Sequence, residues 1–174
     1  MTNSPLPTKN EKAPAFAPGD FVVYPAHGVG KVLTIETREI SDQKIKLLVI
    51  EFDRERMTLR VPLPKVKASG LRSISTKRVM AKALTALKGR AAVKRSMWRH
   101  RALEYTAKIS SGDPVAIAEV VRDLHRDATS PERSHSARLL YEQARDRLTH
   151  EVAAIEKIEF EAATTKLERL LDAA

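Results

Sequence analysis

Cysteine is missing from all 174 residues. Its absence excludes a disulfide framework, a thiolate nucleophile and any zinc site with a Cys ligand. A chain built this way suits a reducing compartment, and a cytoplasmic location is expected. Long apolar runs are missing too. No stretch approaches the roughly 20 residues of a membrane span, and Met1 to Lys12 lacks the apolar core of a signal peptide. No membrane partner is expected. Aromatic residues make up only 5% of the chain, with a single tryptophan, Trp98. A ring cage for a methylated lysine would therefore have to come from Phe21, Tyr24 and Phe52, at least two of which a small β module needs for its own core. Catalytic spacings are lacking as well. The histidines His27, His100, His125, His135 and His150 form no H-E-x-x-H pattern, Gly28-Val29-Gly30 falls short of G-x-G-x-x-G, and no G-x-x-x-x-G-K-[ST] loop occurs. Asp123 and Asp127 lie one helical turn apart, but Arg122 and Arg126 keep the same spacing, which describes a solvated helix face. The chain reads as a non-enzyme without metal or cofactor.

One further scarcity is local. Between residues 71 and 110 eleven Lys and Arg stand against a single acid, Glu104. Residues 1–70 carry eleven against eight, and residues 111–174 nine against thirteen, so the middle segment supplies the whole net charge of +9. A basic patch confined in this way points to a polyanionic partner more strongly than a diffuse charge would. A solvated helix face is the plainer alternative, but such faces interleave both signs.

What is present divides into two patterns. Met1 to Pro18, rich in Pro, Lys and small residues, reads as a disordered tail. Gly19 to Ile74 reads as β structure, with strands over Phe21–Tyr24, Val29–Ile40, Lys44–Phe52, Met57–Val61 and Leu71–Ile74, and one helical turn in Lys65–Ser69. Five short strands in so few residues predict a small SH3/Tudor-like β-barrel. Such a module binds proteins along an exposed strand edge. Arg38 and Arg60 stand at strand positions that could pair with a partner's carboxylates, or merely keep the edge from aggregating.

From Ser75 the apolar period becomes helical. Val79, Met80, Ala83, Leu84 and Leu87 mark one helix, ended at Gly89. Ser96 is a plausible cap for a second, which runs to Ser110 or Ser111. Gly112-Asp113-Pro114 stops that helix and starts a third, with Asp113 as its cap. Leu140 to Ile155 forms a longer helix with Ser134 as cap, and Glu159 to Leu171 is helical without a visible break before it. The expected fold is α+β in two domains, a β-barrel over 19–74 and an all-α helical bundle over 75–174.

Trp98 falls inside Lys94-Arg95-Ser96-Met97-Trp98-Arg99-His100-Arg101. A flat apolar ring among cations can hold phosphates while pressing a wedge against a base step. Trp98, Ala102, Tyr105 and Ile109 also recur at helical spacing, and a ring that opens a buried stripe is the competing reading.

Three stretches together resemble the CarD/CdnL family of bacterial RNA polymerase-binding transcription regulators. They are Gly19-Asp20-Phe21-Val22-Val23-Tyr24-Pro25-Ala26-His27-Gly28-Val29-Gly30; Met57-Thr58-Leu59-Arg60-Val61-Pro62 with Gly70-Leu71-Arg72; and Ser111-Gly112-Asp113 with Ala118-Glu119-Val120-Val121-Arg122-Asp123-Leu124. The resemblance implies an N-terminal Tudor-like domain that docks on the RNA polymerase β subunit of the housekeeping-sigma holoenzyme, through Arg38, Met57, Arg60 and Pro62. It also implies a helical domain that meets promoter DNA at the upstream fork of the melted bubble. Trp98 and Arg101 match the family's W-x-x-R pattern, and Lys94, Arg95 and Arg99 complete the expected DNA-binding set. The chain departs from the family where Arg99-His100 reverses the usual order and where Leu103 replaces a basic residue. The expectation is a monomeric, nucleoid-associated regulator that stabilises the open promoter complex without sequence-specific readout. The alternative is an RNA- or ribosome-associated basic binding protein.

Overall fold

The computed structural model describes residues 16–91, 96–128 and 134–173, and for 126–128 the backbone alone. Strands β1 (Phe21–Tyr24), β2 (Gly28–Ile40), β3 (Gln43–Phe52) and β4 (Met57–Pro62) lead into a single turn of helix, α1 (Leu63–Val66), and the short β5 (Arg72–Ser73). Helices α2 (Lys77–Leu87), α3 (Trp98–Ser110), α4 (Pro114–Ala128), α5 (His135–Glu156) and α6 (Phe160–Asp172) follow.

The sheet is antiparallel with order β4-β3-β2-β1-β5. The described ladders do not pair β4 with β5. The expected barrel is therefore corrected to an open five-stranded sheet, because β5 offers two residues to β1 and its far edge finds no strand. The β2–β3 hairpin turns through Ser41 and Asp42, both at positive φ, the arrangement whose twist suits a two-residue loop. On β3, Leu47, Leu48, Val49 and Ile50 are all buried, as befits a central strand covered on both faces. Gly30 lies where a Cβ would stand 2.6 Å from Ile50 Cγ2 and 2.8 Å from Phe52 Cε1. Only a residue without a side chain lets β2 cross that part of the core. The core also reaches Phe16, which is 8% exposed and lies inside the stretch read as a tail; residues 1–15 of that stretch are outside the described residues.

The helices share a second buried cluster, in which Leu87, Ile109, Leu124, Leu148 and Leu167 are almost wholly enclosed. Their ends follow local chemistry. Thr76 caps α2 through Val79 N, Asp113 Oδ1 accepts from Val115 N, and Ser134 caps α5 through Ala137 N. The break between α5 and α6 is a left-handed Lys157, with Ile158 N bonded back to Ala153 O. That is a Schellman ending built on lysine instead of glycine, so composition does not reveal it. Ser96 does not cap α3: Met97 holds the cap position and no side chain bonds there. Asp123 is buried against Arg122, at 2.9 Å, and so is not on a solvated face.

Candidate functional site

Register decides how the expected docking residues are disposed. Directly paired residues in a ladder share a face. Glu36 pairs with Leu47 and Leu47 with Pro62; Val49 pairs with Arg60; Arg38 pairs with Ile45. Arg38, Arg60 and Pro62 therefore stand on one face, over Leu47 and Val49. Met57, Leu59 and Val61 have the opposite parity and pack toward the sheet core. Three of the four expected docking residues come together and Met57 does not. Glu36 joins the two cations, with its carboxylate 3.5 Å from Arg38 Nε and 3.3 Å from Arg60 Nε. One carboxylate between two half-exposed guanidinium groups leaves a positive face able to accept a partner's acids.

Among the helices, Trp98 is the first residue of α3 and is partly buried against the helical cluster. Its indole Nε1–H donates to Ser136 Oγ at 3.0 Å, across to the first turn of α5. The Arg101 guanidinium lies 5.3 Å from the Trp98 ring centroid, in cation–π geometry, and Tyr105 packs at 6.3 Å. The ring is thus neither sealed in the core nor loose: one edge is tied, one cation covers it, and part of it meets solvent. Arg99 is exposed, and among the described residues neither Arg99 nor Arg101 is paired with a carboxylate. Beside them Met97 is 74% exposed and Leu103 is 67% exposed. Lys94 and Arg95 lie outside the described residues.

Between these two surfaces runs a polar seam. Arg147 of α5 donates to the carbonyls of Pro25 and Ala26, the latter at 2.8 Å, and to Ile109 O at 3.3 Å. Arg54, in the β3–β4 turn, bonds Asp146, donates to His150 Nε2 at 3.1 Å, and lies 5.0 Å from the Phe160 ring centroid. Arg72 of β5 meets the buried Glu151 through two contacts, at 2.8 and 3.1 Å. Burial pulls the Arg147 guanidinium below its ordinary value, against a smaller upward pull from Glu55. Burial also lowers His150, with Arg54 adding to the effect and Asp146 and Asp53 opposing it.

Sequence inspection did not find Glu36, Ser136 or the seam. Strand parity alone would have separated Met57 from Arg60, but nothing local signals a bond from Trp98 to Ser136, 38 residues away. His150 is partly enclosed against the Phe160 ring, 4.6 Å between centroids. Among the described residues no cluster of three or more His, Asp or Glu is arranged to hold a metal, and no helix is long and apolar enough to cross a membrane.

Comparison with known proteins bears on both surfaces. Residues 16–75 match the CarD-like/TRCF RID domain, and residues 82–168, half of the chain, match the CarD C-terminal domain. YdeB of Bacillus subtilis (strain 168), provisionally named as a transcription factor, is 29% identical over 143 residues, which span 82% of this chain and 94% of that protein. The sheet with its paired arginines answers to the first domain and the bundle headed by Trp98 to the second, in that order on one polypeptide; the chain belongs to the CarD family of transcription regulators.

Proposed function

We propose that this protein tethers itself to the β subunit of RNA polymerase through the Arg38, Arg60 and Pro62 face, with Met57 supporting β4 from the core side. In the same reading, the first turn of α3 meets promoter DNA at the upstream edge of the melted bubble and stabilises the open complex. The RID-type match supports polymerase as the docking partner. The observation that carries the DNA half is the Trp98 ring, held part-exposed by Ser136 under the Arg101 guanidinium at the head of the basic segment. A ring already fixed in place loses little freedom on insertion. Lys94, Arg95, Arg99 and Arg101 supply phosphate contacts, which position the protein without reading sequence. The ring senses how readily a base step opens. Tethering raises the local concentration of this surface at the promoter. Because the surface prefers the distorted fork to paired duplex, binding shifts the equilibrium toward the melted state.

The test uses purified holoenzyme and a promoter fragment. Trp98→Ala should keep its affinity for polymerase and shorten the open-complex lifetime about fivefold or more, the factor carried by ~1 kcal/mol of base–aromatic stacking. Arg60→Glu should lose polymerase capture while keeping its circular dichroism spectrum. An unchanged lifetime with Trp98→Ala removes the wedge, and normal capture by Arg60→Glu removes the docking face. Co-purification with ribosomes and not with polymerase would favour the RNA-binding reading.

A further inference from the structure

The three stretches that carry the family resemblance meet at one place, and neither the docking face nor the DNA-facing turn includes it. Pro25, from the first stretch, sits between two glycines from the others. A Cβ on Gly70 would stand 3.1 Å from Pro25 Cγ, and one on Gly112 would stand 3.8 Å from Pro25 Cα. Gly112 has φ +71 and turns α3 into α4 at that point. Arg72, from the second stretch, donates to Gly112 O, in the third, at 2.6 Å. Around this joint the contacts are forked and enclosed. Glu151 is 2% exposed; it accepts both Arg72 bonds and also the Ser75 backbone N–H at 2.8 Å. Ser75 belongs to the connection between β5 and α2, so the link itself is tied to α5. Arg147 clasps the Pro25–Ala26 turn from the same helix.

We propose that this seam is a positioning device, with Arg72, Glu151 and Arg147 as positioning residues that hold the Trp98 surface at a set distance and angle from the polymerase-docking face. The inference rests on the proposed function above. A free three-residue connection would let the helices swing, spreading Trp98 over a large volume and diluting it at the fork. A locked joint concentrates it there. The seam thus lets weak DNA contact act once docking has occurred.

The 174-residue chain offers a clean test because it contains no cysteine. Lys44→Cys on β3 and Thr165→Cys on α6 are exposed positions for a spin-label pair across the seam. Into this background go Glu151→Gln, which removes the buried charge, and Arg147→Lys, which cannot fork between two carbonyls. Arg147→Lys keeps the test open should Glu151→Gln fail to fold. The expected result is a broadened inter-label distance distribution, polymerase affinity within about twofold of the parent, and open-complex lifetime shortened roughly threefold or more as the effective concentration falls. A broadened distribution with parental lifetime overturns the inference. So does a distribution that stays narrow in both variants, since those contacts would not then be what holds the joint. Loss of polymerase affinity in step with lifetime would assign the seam to docking and also overturn it. Trp98→Ala in the same assay separates the two levels. If it leaves the lifetime unchanged, the proposed function fails; if it shortens the lifetime and the seam variants do not, only the positioning role fails.

Discussion

The Ser136 hydroxyl oxygen accepts the indole N–H of Trp98. The same hydroxyl lies 3.3 Å from Ser134 Oγ, which caps α5, so the ring is tied to a helix start that is itself fixed. Replacing the acceptor should free the ring without removing it. Ser136→Ala is expected to cost no more than about 1 kcal/mol of stability and to shorten open-complex lifetime less than Trp98→Ala does. Trp98 is the only tryptophan, so fluorescence reports on this ring with no other indole contributing. Acrylamide quenching should rise in Ser136→Ala; identical quenching would show that the bond does not hold the ring. Arg38 and Arg60 illustrate the same point from the sheet. Each was visible as a strand cation, but their union through Glu36 depends on two ladders that bring residues 36, 38 and 60 onto one face.

At the scale of the element, α3 breaks the usual rules for a helix start. Its cap residue is Met97, which offers no side-chain bond, and its first turn contains Arg99, His100 and Arg101 with no acid. Cations at a helix N-terminus oppose the macrodipole, each by about 0.3–1 kcal/mol. Such a conflict between local preference and local composition is characteristic of a surface kept for binding. The Met97 backbone already has extended dihedrals, φ −58° and ψ 147°, which a capping side chain would fit. Met97→Ser should therefore raise stability by roughly 0.5–1 kcal/mol, seen as a higher urea midpoint with an unchanged slope. A midpoint equal to or below the parent's would mean that Met97 packs in a way its 74% exposure does not suggest.

Across the whole molecule, the seam carries a titratable group. Arg54 donates to His150 Nε2, which must then be unprotonated, and burial and Arg54 hold His150 below the ordinary imidazole value of 6.5. Asp146, Asp53 and the Phe160 ring are the other groups around it, the two carboxylates pulling in the opposite direction. The native state therefore binds fewer protons at this site than the unfolded chain does. Stability from this group is fully present above the unfolded pKa and is lost as pH falls below it toward the lowered native value. The thermal midpoint should decline from pH 7 to pH 5 more steeply in the parent than in His150→Gln. Parallel curves would show that His150 titrates as it does in the unfolded chain. The same contact means that acidification weakens one of the three arginine links between sheet and helices.

Periodicity and composition were enough to determine much of this protein. The alternation and turn residues of 19–74 marked every strand to within a few residues, and helical spacing with Gly, Pro and cap residues marked α2, α4 and α5, because these signals are local and backbone geometry sets their period. The confinement of positive charge around Trp98 was equally plain, being a property of sequence order. Tertiary structure decided what depends on residues far apart in the chain. It left the sheet open where a barrel was expected, because β5 pairs two residues with β1 and no described ladder joins it to β4. It put Met57 on the core face and Arg60 on the other, because ladder register fixes which side chains share a surface. It left Trp98 partly buried and tied to α5, because the acceptor for its N–H comes from another helix. The seam was the least legible feature of all. Its arginines bond backbone carbonyls and a single buried glutamate, and backbone acceptors belong to every residue type, so no pattern of side chains announces them before the chain has folded.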